Sequence, residues 1–136
     1  MRLIGKMKVK KLLKSQGRAK FRESASHAMD GITYTVSHER NFRIELAAAC
    51  FVTLLSYFLK VSVVEWCILL LTISLVLVLE MVNTAIERTV DLVTKDYYEL
   101  AKNAKDVAAG AVLVASMFSV VLGILIFLPK IISLLK

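Results

Sequence analysis

Apolar positions along this chain gather into three blocks separated by polar stretches. Leu46 to Leu59 runs for 14 residues without a charge, and Trp66 to Leu79 for another 14. Val107 to Pro129 runs for 23. A helix crosses the hydrocarbon of a bilayer in about 20 residues, so the last block suffices alone. The first two reach that length only with their flanks, as stretches 44–64 around Lys60 and 63–86 around Glu65 and Glu80. The pattern predicts three transmembrane helices at 44–64, 63–86 and 107–129. Ahead of them, Phe21, Ala25, Ala28, Met29, Ile32 and Val36 recur at spacings of three and four. Polar residues such as Arg22, Glu23, Ser26 and Asp30 lie between them, which predicts an amphipathic surface helix over 18–38.

Composition sharpens the membrane reading. The 136 residues are 57% hydrophobic, with a mean hydropathy of +0.67. A body so small cannot hide that much apolar surface from water. The fold class is therefore all-α integral membrane, and the chain contains one proline, which argues against a disordered or collagen-like tail. No apolar h-region follows the basic start before residue 44, so no cleavable signal peptide is expected. Cys50 and Cys67 fall in or near the spans and read as small buried hydrophobes, without a disulfide or metal site.

Charge then orients the chain. Of its 18 Lys and Arg, nine lie within residues 1–22 and no acid does. The other nine bases and all 11 acids leave the remainder at −2, so the net +7 belongs to the N-terminus. Beside membrane spans, such a run marks the anionic cytoplasmic leaflet rather than nucleic acid. Residues 1–17 are read as a basic cytoplasmic arm that meets anionic lipid headgroups, and 18–136 as one membrane domain. With the N-terminus inside, Arg40, Arg43, Arg88, Lys95, Lys102 and Lys105 join it, and only Lys60, Lys130 and Lys136 lie outside.

Candidate chemistry collects around the second span. Glu80, Asn83, Glu87 and Asp91 stand at about 0°, −60°, −20° and +20° around a helix, one polar stripe. Glu80 directly follows 14 uncharged residues, and an ionisable group at such depth is a functional candidate. A packing network of hydrogen bonds, or a span that simply ends at Glu80, would also account for a single acid. Three carboxylates and an amide on one stripe suit Mg²⁺ bound together with substrate phosphates. A short cytoplasmic loop from Arg88 to Asp106 adds Lys95, Asp96, Tyr97, Tyr98, Glu99, Lys102 and Lys105. Lys105 can meet a phosphate as a point charge. Glu39, before the first span, returns to the same membrane face as Glu87, although Glu39 and Arg43 could equally pair along one helix.

These residues resemble a known family. Glu80-Met-Val-Asn83-Thr-Ala-Ile-Glu87-Arg-Thr-Val-Asp91 is similar to the signature of the small prokaryotic diacylglycerol kinases, which include the undecaprenol kinases of Gram-positive bacteria. The resemblance extends to Glu39-Arg40-Asn41-Phe42-Arg43, to Asn103-Ala-Lys105-Asp106 and to Ala108-Ala109-Gly110-Ala111-Val112. Ser24 to Gly31 echoes a further family motif, with Ala25 where phenylalanine is expected. In all it covers about residues 21–129.

The resemblance implies a surface helix and three spans, assembled as a homotrimer with shared active sites. It makes Glu80 the general base toward a lipid hydroxyl, and Glu39 and Glu87 the metal-binding acids. It places Asn83, Asp91, Asp96, Tyr98, Lys105 and Asp106, with Glu39 and Glu87, about the nucleotide. The implied activity is ATP- and Mg²⁺-dependent phosphorylation of a lipid alcohol in a bacterial cell membrane. Glu39 to Arg43 and Phe127-Leu128-Pro129-Lys130 resemble the Gram-positive branch, which puts undecaprenol first and diacylglycerol second. Two readings of other classes compete: a three-span ion or proton carrier using Glu80, and a non-catalytic membrane adaptor using the basic arm.

Overall fold

A computed structural model describes the backbone of residues 2–135 and the side chains of residues 20–135. The basic side chains up to residue 19 lie outside that description. Every element among the described residues is helical: α1 (Arg2–His38), α2 (Arg40–Phe58), α3 (Val63–Val93) and α4 (Glu99–Leu134). Two compact units divide at Ser37, the first holding α1 and the second holding α2 to α4. In the first unit α1 begins well before residue 18, so the backbone of the basic arm is helical too. Thr33, Thr35 and Ser37 each donate a hydroxyl to the carbonyl four residues back. Phe21 and Met29, from its apolar positions, are exposed.

In the second unit, α2, α3 and α4 are each long and apolar enough to span a membrane. The second predicted span, whose uncharged block is only 14 residues, is long enough as a helix to cross with room to spare. At 31 residues, α3 is about 46 Å long, more than a hydrocarbon core of about 30 Å. Its extra turns carry Glu87, Arg88 and Asp91, so the stretch expected as a loop from Arg88 is helical to Val93. Only Thr94 to Tyr98 connects it to α4. Charged residues there cost helix propensity little and need not enter the bilayer.

The end of α2 departs from the expected 44–64 stretch. Val61 N–H donates to the Ser56 carbonyl at 3.2 Å, and Lys60 N–H to that of Tyr57 at 3.3 Å. This pair of bonds is a Schellman motif, with Lys60 in the left-handed position at φ 51°. Glycine is usual there; lysine hides the stop from a sequence reader. Ser62 then caps α3 reciprocally with Glu65: the Glu65 N–H donates to Ser62 Oγ and the Ser62 N–H to Glu65 Oε2. Val63 and Val64 thus belong to α3 alone. Because a Cβ is strained at positive φ, Lys60→Gly is expected to stabilise the protein by about 1 kcal/mol. A higher thermal midpoint in detergent would show it; an unchanged one would mean the turn carries no strain.

α3 is the middle helix, packed along α4 and more sparingly against α2. Its buried positions, Leu69, Val76, Glu80, Asn83 and Thr84, follow the helical period on one side. At its N-terminal end, Val61, Leu69, Ile126 and Phe127 form the apolar core, with Val52, Leu55, Leu59 and Trp66 against it. Lys130 of α4 pairs there with Glu65 of α3 at 3.0 Å. Pro129 lies within α4, which continues to Leu134. Cys50 and Cys67 are free and exposed, contrary to the buried placement expected for them. Much of the remaining apolar surface also faces outward, including Phe51, Leu54, Leu71 and Phe118, as befits helices in lipid.

Candidate functional site

The C-terminal half of α3 replaces the apolar core with a polar cluster. Glu80 is 4% exposed and Asn83 7% exposed. The helical period that places Leu69 and Val76 against the neighbouring helices carries these two onto the same side. Asn83 Nδ2 donates to Glu87 Oε1 at 3.1 Å, one turn further on. Its amide oxygen is buried without a hydrogen-bond partner. Glu80 lies within electrostatic reach of both Glu87 and Glu39. Three acids that stand 41 and seven residues apart in sequence therefore share one neighbourhood.

Glu39 enters the cluster from the start of α2. It occupies the N-cap position with extended backbone, yet its carboxylate does not cap the helix. Instead it accepts from Arg88 Nη2 on α3 at 2.7 Å. Asp91, a turn beyond Glu87, pairs with Lys105 of α4. Asp106 faces elsewhere, paired with Lys102 at 3.1 Å along its own helix. Asp96 and Tyr98 stand exposed in the connection, where Asp96 N–H donates to Thr94 Oγ1. Glu80, Asn83, Glu87 and Glu39 thus come together, Asp91 and Lys105 form a second pair, and Asp96, Tyr98 and Asp106 belong to neither group.

One acid of the cluster was not anticipated. Glu45, on α2, lies within electrostatic reach of Glu80, and its Oε2 is buried without a hydrogen-bond partner. The signal was available: Glu45 immediately precedes the uncharged Leu46–Leu59 block, as Glu80 immediately follows the next one. It also borders an apolar groove of about 570 Å³ between the three spans. Ala49 and Phe51 of α2, Leu69 and Val76 of α3, and Ser119 and Phe127 of α4 are among its walls. The groove runs from the apolar core toward Glu45, where the acids begin.

Among the described residues, no three His, Cys, Asp or Glu side chains converge as a self-sufficient metal cage. Mg²⁺ does not require one, since it is commonly held by one or two carboxylates together with substrate phosphates. Glu87 beside an orphaned amide oxygen, with Glu39 in the same neighbourhood, is a hard oxygen donor set that fits this ion.

Known proteins are similar to this chain in sequence. Residues 26–127 match the sequence model of a family described as prokaryotic diacylglycerol kinase. The chain is 49% identical over 111 residues to the undecaprenol kinase of Bacillus subtilis (strain 168), covering 82% of this chain and 90% of that one. It is 42% identical over 113 residues to a diacylglycerol kinase of Synechocystis sp., covering 82% of this chain and 65% of that one. With the diacylglycerol kinase of Escherichia coli (strain K12) it shares 30% over 99 residues, covering 73% and 81% respectively.

Proposed function

The chain belongs to the prokaryotic diacylglycerol kinase family, whose members are lipid kinases of the membrane, and on that premise we propose that it phosphorylates undecaprenol with ATP. The observation that carries this reading is that an apolar groove between the spans ends at Glu45, which lies within electrostatic reach of buried Glu80, itself within reach of Glu39 and Glu87. A lipid alcohol can leave its chain in the groove or the bilayer while its hydroxyl meets a carboxylate. Greater identity to the undecaprenol kinase than to the two diacylglycerol kinases compared favours the polyprenol over diacylglycerol.

In this reading Glu80 accepts the proton of the lipid hydroxyl as its oxygen attacks the γ-phosphorus of ATP, and ADP leaves. Glu45, across from Glu80, helps position that hydroxyl. Glu39 and Glu87 hold Mg²⁺, which when bound neutralises phosphate charge. Asn83 orients Glu87 through their hydrogen bond. Lys105 and Asp91, with Asp96 and Tyr98 of the connection and Asp106 one residue beyond Lys105 on α4, line the approach of the nucleotide. The catalytic end of α3 faces the cytoplasm, as the distribution of Lys and Arg favours. The basic arm and α1 rest on anionic headgroups, and the exposed Phe21 and Met29 support that contact. Three copies share their active sites, a feature that rests on the family resemblance.

The deciding experiment is a pair of ATP-consumption assays on the purified protein in mixed micelles, one with a short-chain polyprenol and one with diacylglycerol. Polyprenol is expected to be turned over at least tenfold more efficiently by kcat/KM. A preference for diacylglycerol would move the protein to the runner-up substrate. Consumption with neither would leave the ion-carrier reading of Glu80 in its place.

A further inference from the structure

Arg88 is the one residue of the acidic cluster that neither the stripe nor the proposed chemistry uses. Its guanidinium donates to Glu39 across 49 residues of sequence. The Glu39 side chain is only 19% exposed, whereas that of Arg88 is 53% exposed. The carboxylate is therefore held in place while the cation stands at the open edge. Arg88 also lies within electrostatic reach of Asp91, the partner of Lys105. Glu39 serves no helix cap, and its carboxylate is instead turned toward Arg88.

We propose that Arg88 is an exchangeable cation: it neutralises Glu39 while the site is empty and moves to the nucleotide phosphates when Glu39 becomes a metal ligand. The proposal rests on the kinase reading above. The Glu39 oxygen that accepts from Arg88 cannot use the same lone pair for a metal ion. A divalent ion on either Glu39 oxygen draws down the carboxylate's charge and repels the guanidinium, so metal binding competes with Arg88 and releases it. A released arginine beside incoming phosphates is well matched to them, because its planar fork donates two parallel hydrogen bonds to phosphate oxygens. The acids would otherwise repel a polyanion. Arg88 spares the empty site that excess charge and then supplies a positive charge to the substrate.

Exchange makes two affinities move in opposite directions, which a merely structural ion pair would not do. In Arg88→Met, Mn²⁺ binding without nucleotide should tighten about two- to fivefold, the range of a half-exposed ion pair. Binding of a non-hydrolysable ATP analogue with Mg²⁺ should weaken about tenfold, as one charge-assisted phosphate contact is lost. Mn²⁺ affinity would be read by electron paramagnetic resonance on the full chain in detergent, and analogue affinity by calorimetry. Adding Glu39→Gln should abolish the effect of Arg88→Met on Mn²⁺. Arg88→Lys, which keeps the charge but not the fork, should leave Mn²⁺ affinity near wild type and weaken the analogue. It serves the same purpose if Arg88→Met does not fold.

Both affinities of Arg88→Met falling together, or neither changing, would overturn the exchange, as would wild-type analogue binding in Arg88→Lys. Failure of the wild-type protein to consume ATP with either lipid would instead overturn the kinase reading. The two failures are thus separate.

Discussion

Replacing Glu80 by Gln is expected to lower kcat about 100-fold or more while leaving the affinity for nucleotide nearly unchanged. The substitution keeps the size of the side chain and much of its hydrogen bonding but removes its capacity to take a proton. Glu80 is 4% exposed and has Glu87, Glu39 and Glu45 within electrostatic reach. A packing residue in that position would be better off without its charge, so the acid is costly to keep. Glu80→Gln should accordingly match or exceed the wild-type thermal midpoint in detergent. Lost turnover with retained stability is the signature of a residue kept for chemistry. Glu45→Gln tests the neighbouring acid: it should raise KM for the lipid alcohol more than it lowers kcat, because Glu45 positions the hydroxyl without taking its proton. Near-normal turnover in folded Glu80→Gln would remove Glu80 from the role of base.

The polar stripe was legible because it is one-dimensional: 3.6 residues per turn puts Glu80, Asn83 and Glu87 on one side of any helix that contains them. The structure adds that Glu80 and Asn83 on this side are buried, Glu87 half-buried, and that Asn83 bonds to Glu87. Three spans were legible from their apolar lengths, but their ends were not. The stop of α2 depends on Lys60 adopting a conformation that its side chain disfavours, and no composition rule marks it. The extension of α3 to Val93 was hidden because helix propensity cannot separate a charged helical turn from a charged loop. Glu45 could have been found by the reasoning that found Glu80, an acid bordering an apolar block. The Arg88–Glu39 pair could not, since it joins two helices whose pairing no local pattern discloses. The cysteines misled for a different reason: in a spanning helix an exposed residue faces lipid, so apolar character does not imply burial in protein.

The largest contrast expected of the protein is topological, because the proposed reaction needs the acidic cluster to face cytoplasmic ATP. Ser62 and Asp96 are both exposed and flank opposite ends of α3, which is about 46 Å long. A helix of that length spanning a hydrocarbon core of about 30 Å leaves its two ends on opposite sides. Single cysteines at these positions, in a background lacking Cys50 and Cys67, can therefore be read with an impermeant thiol reagent. Cys50 and Cys67 are exposed, so their replacement by Ser or Ala creates no cavity in the packed interior. Ser62→Cys gives up a helix cap, worth about 1 kcal/mol, which the remaining contacts of α3 should tolerate. Ser62→Cys should label in intact cells, and Asp96→Cys only after the membrane is opened. Glu80 lies 17 residues after Val63, so it is carried about 26 Å along α3 toward the Asp96 end. Labelling of Asp96→Cys in intact cells would place Glu80 and its neighbours near the outer surface, beyond the reach of cytoplasmic ATP. The proposed reaction would then have no phosphoryl donor, however well the acids are arranged.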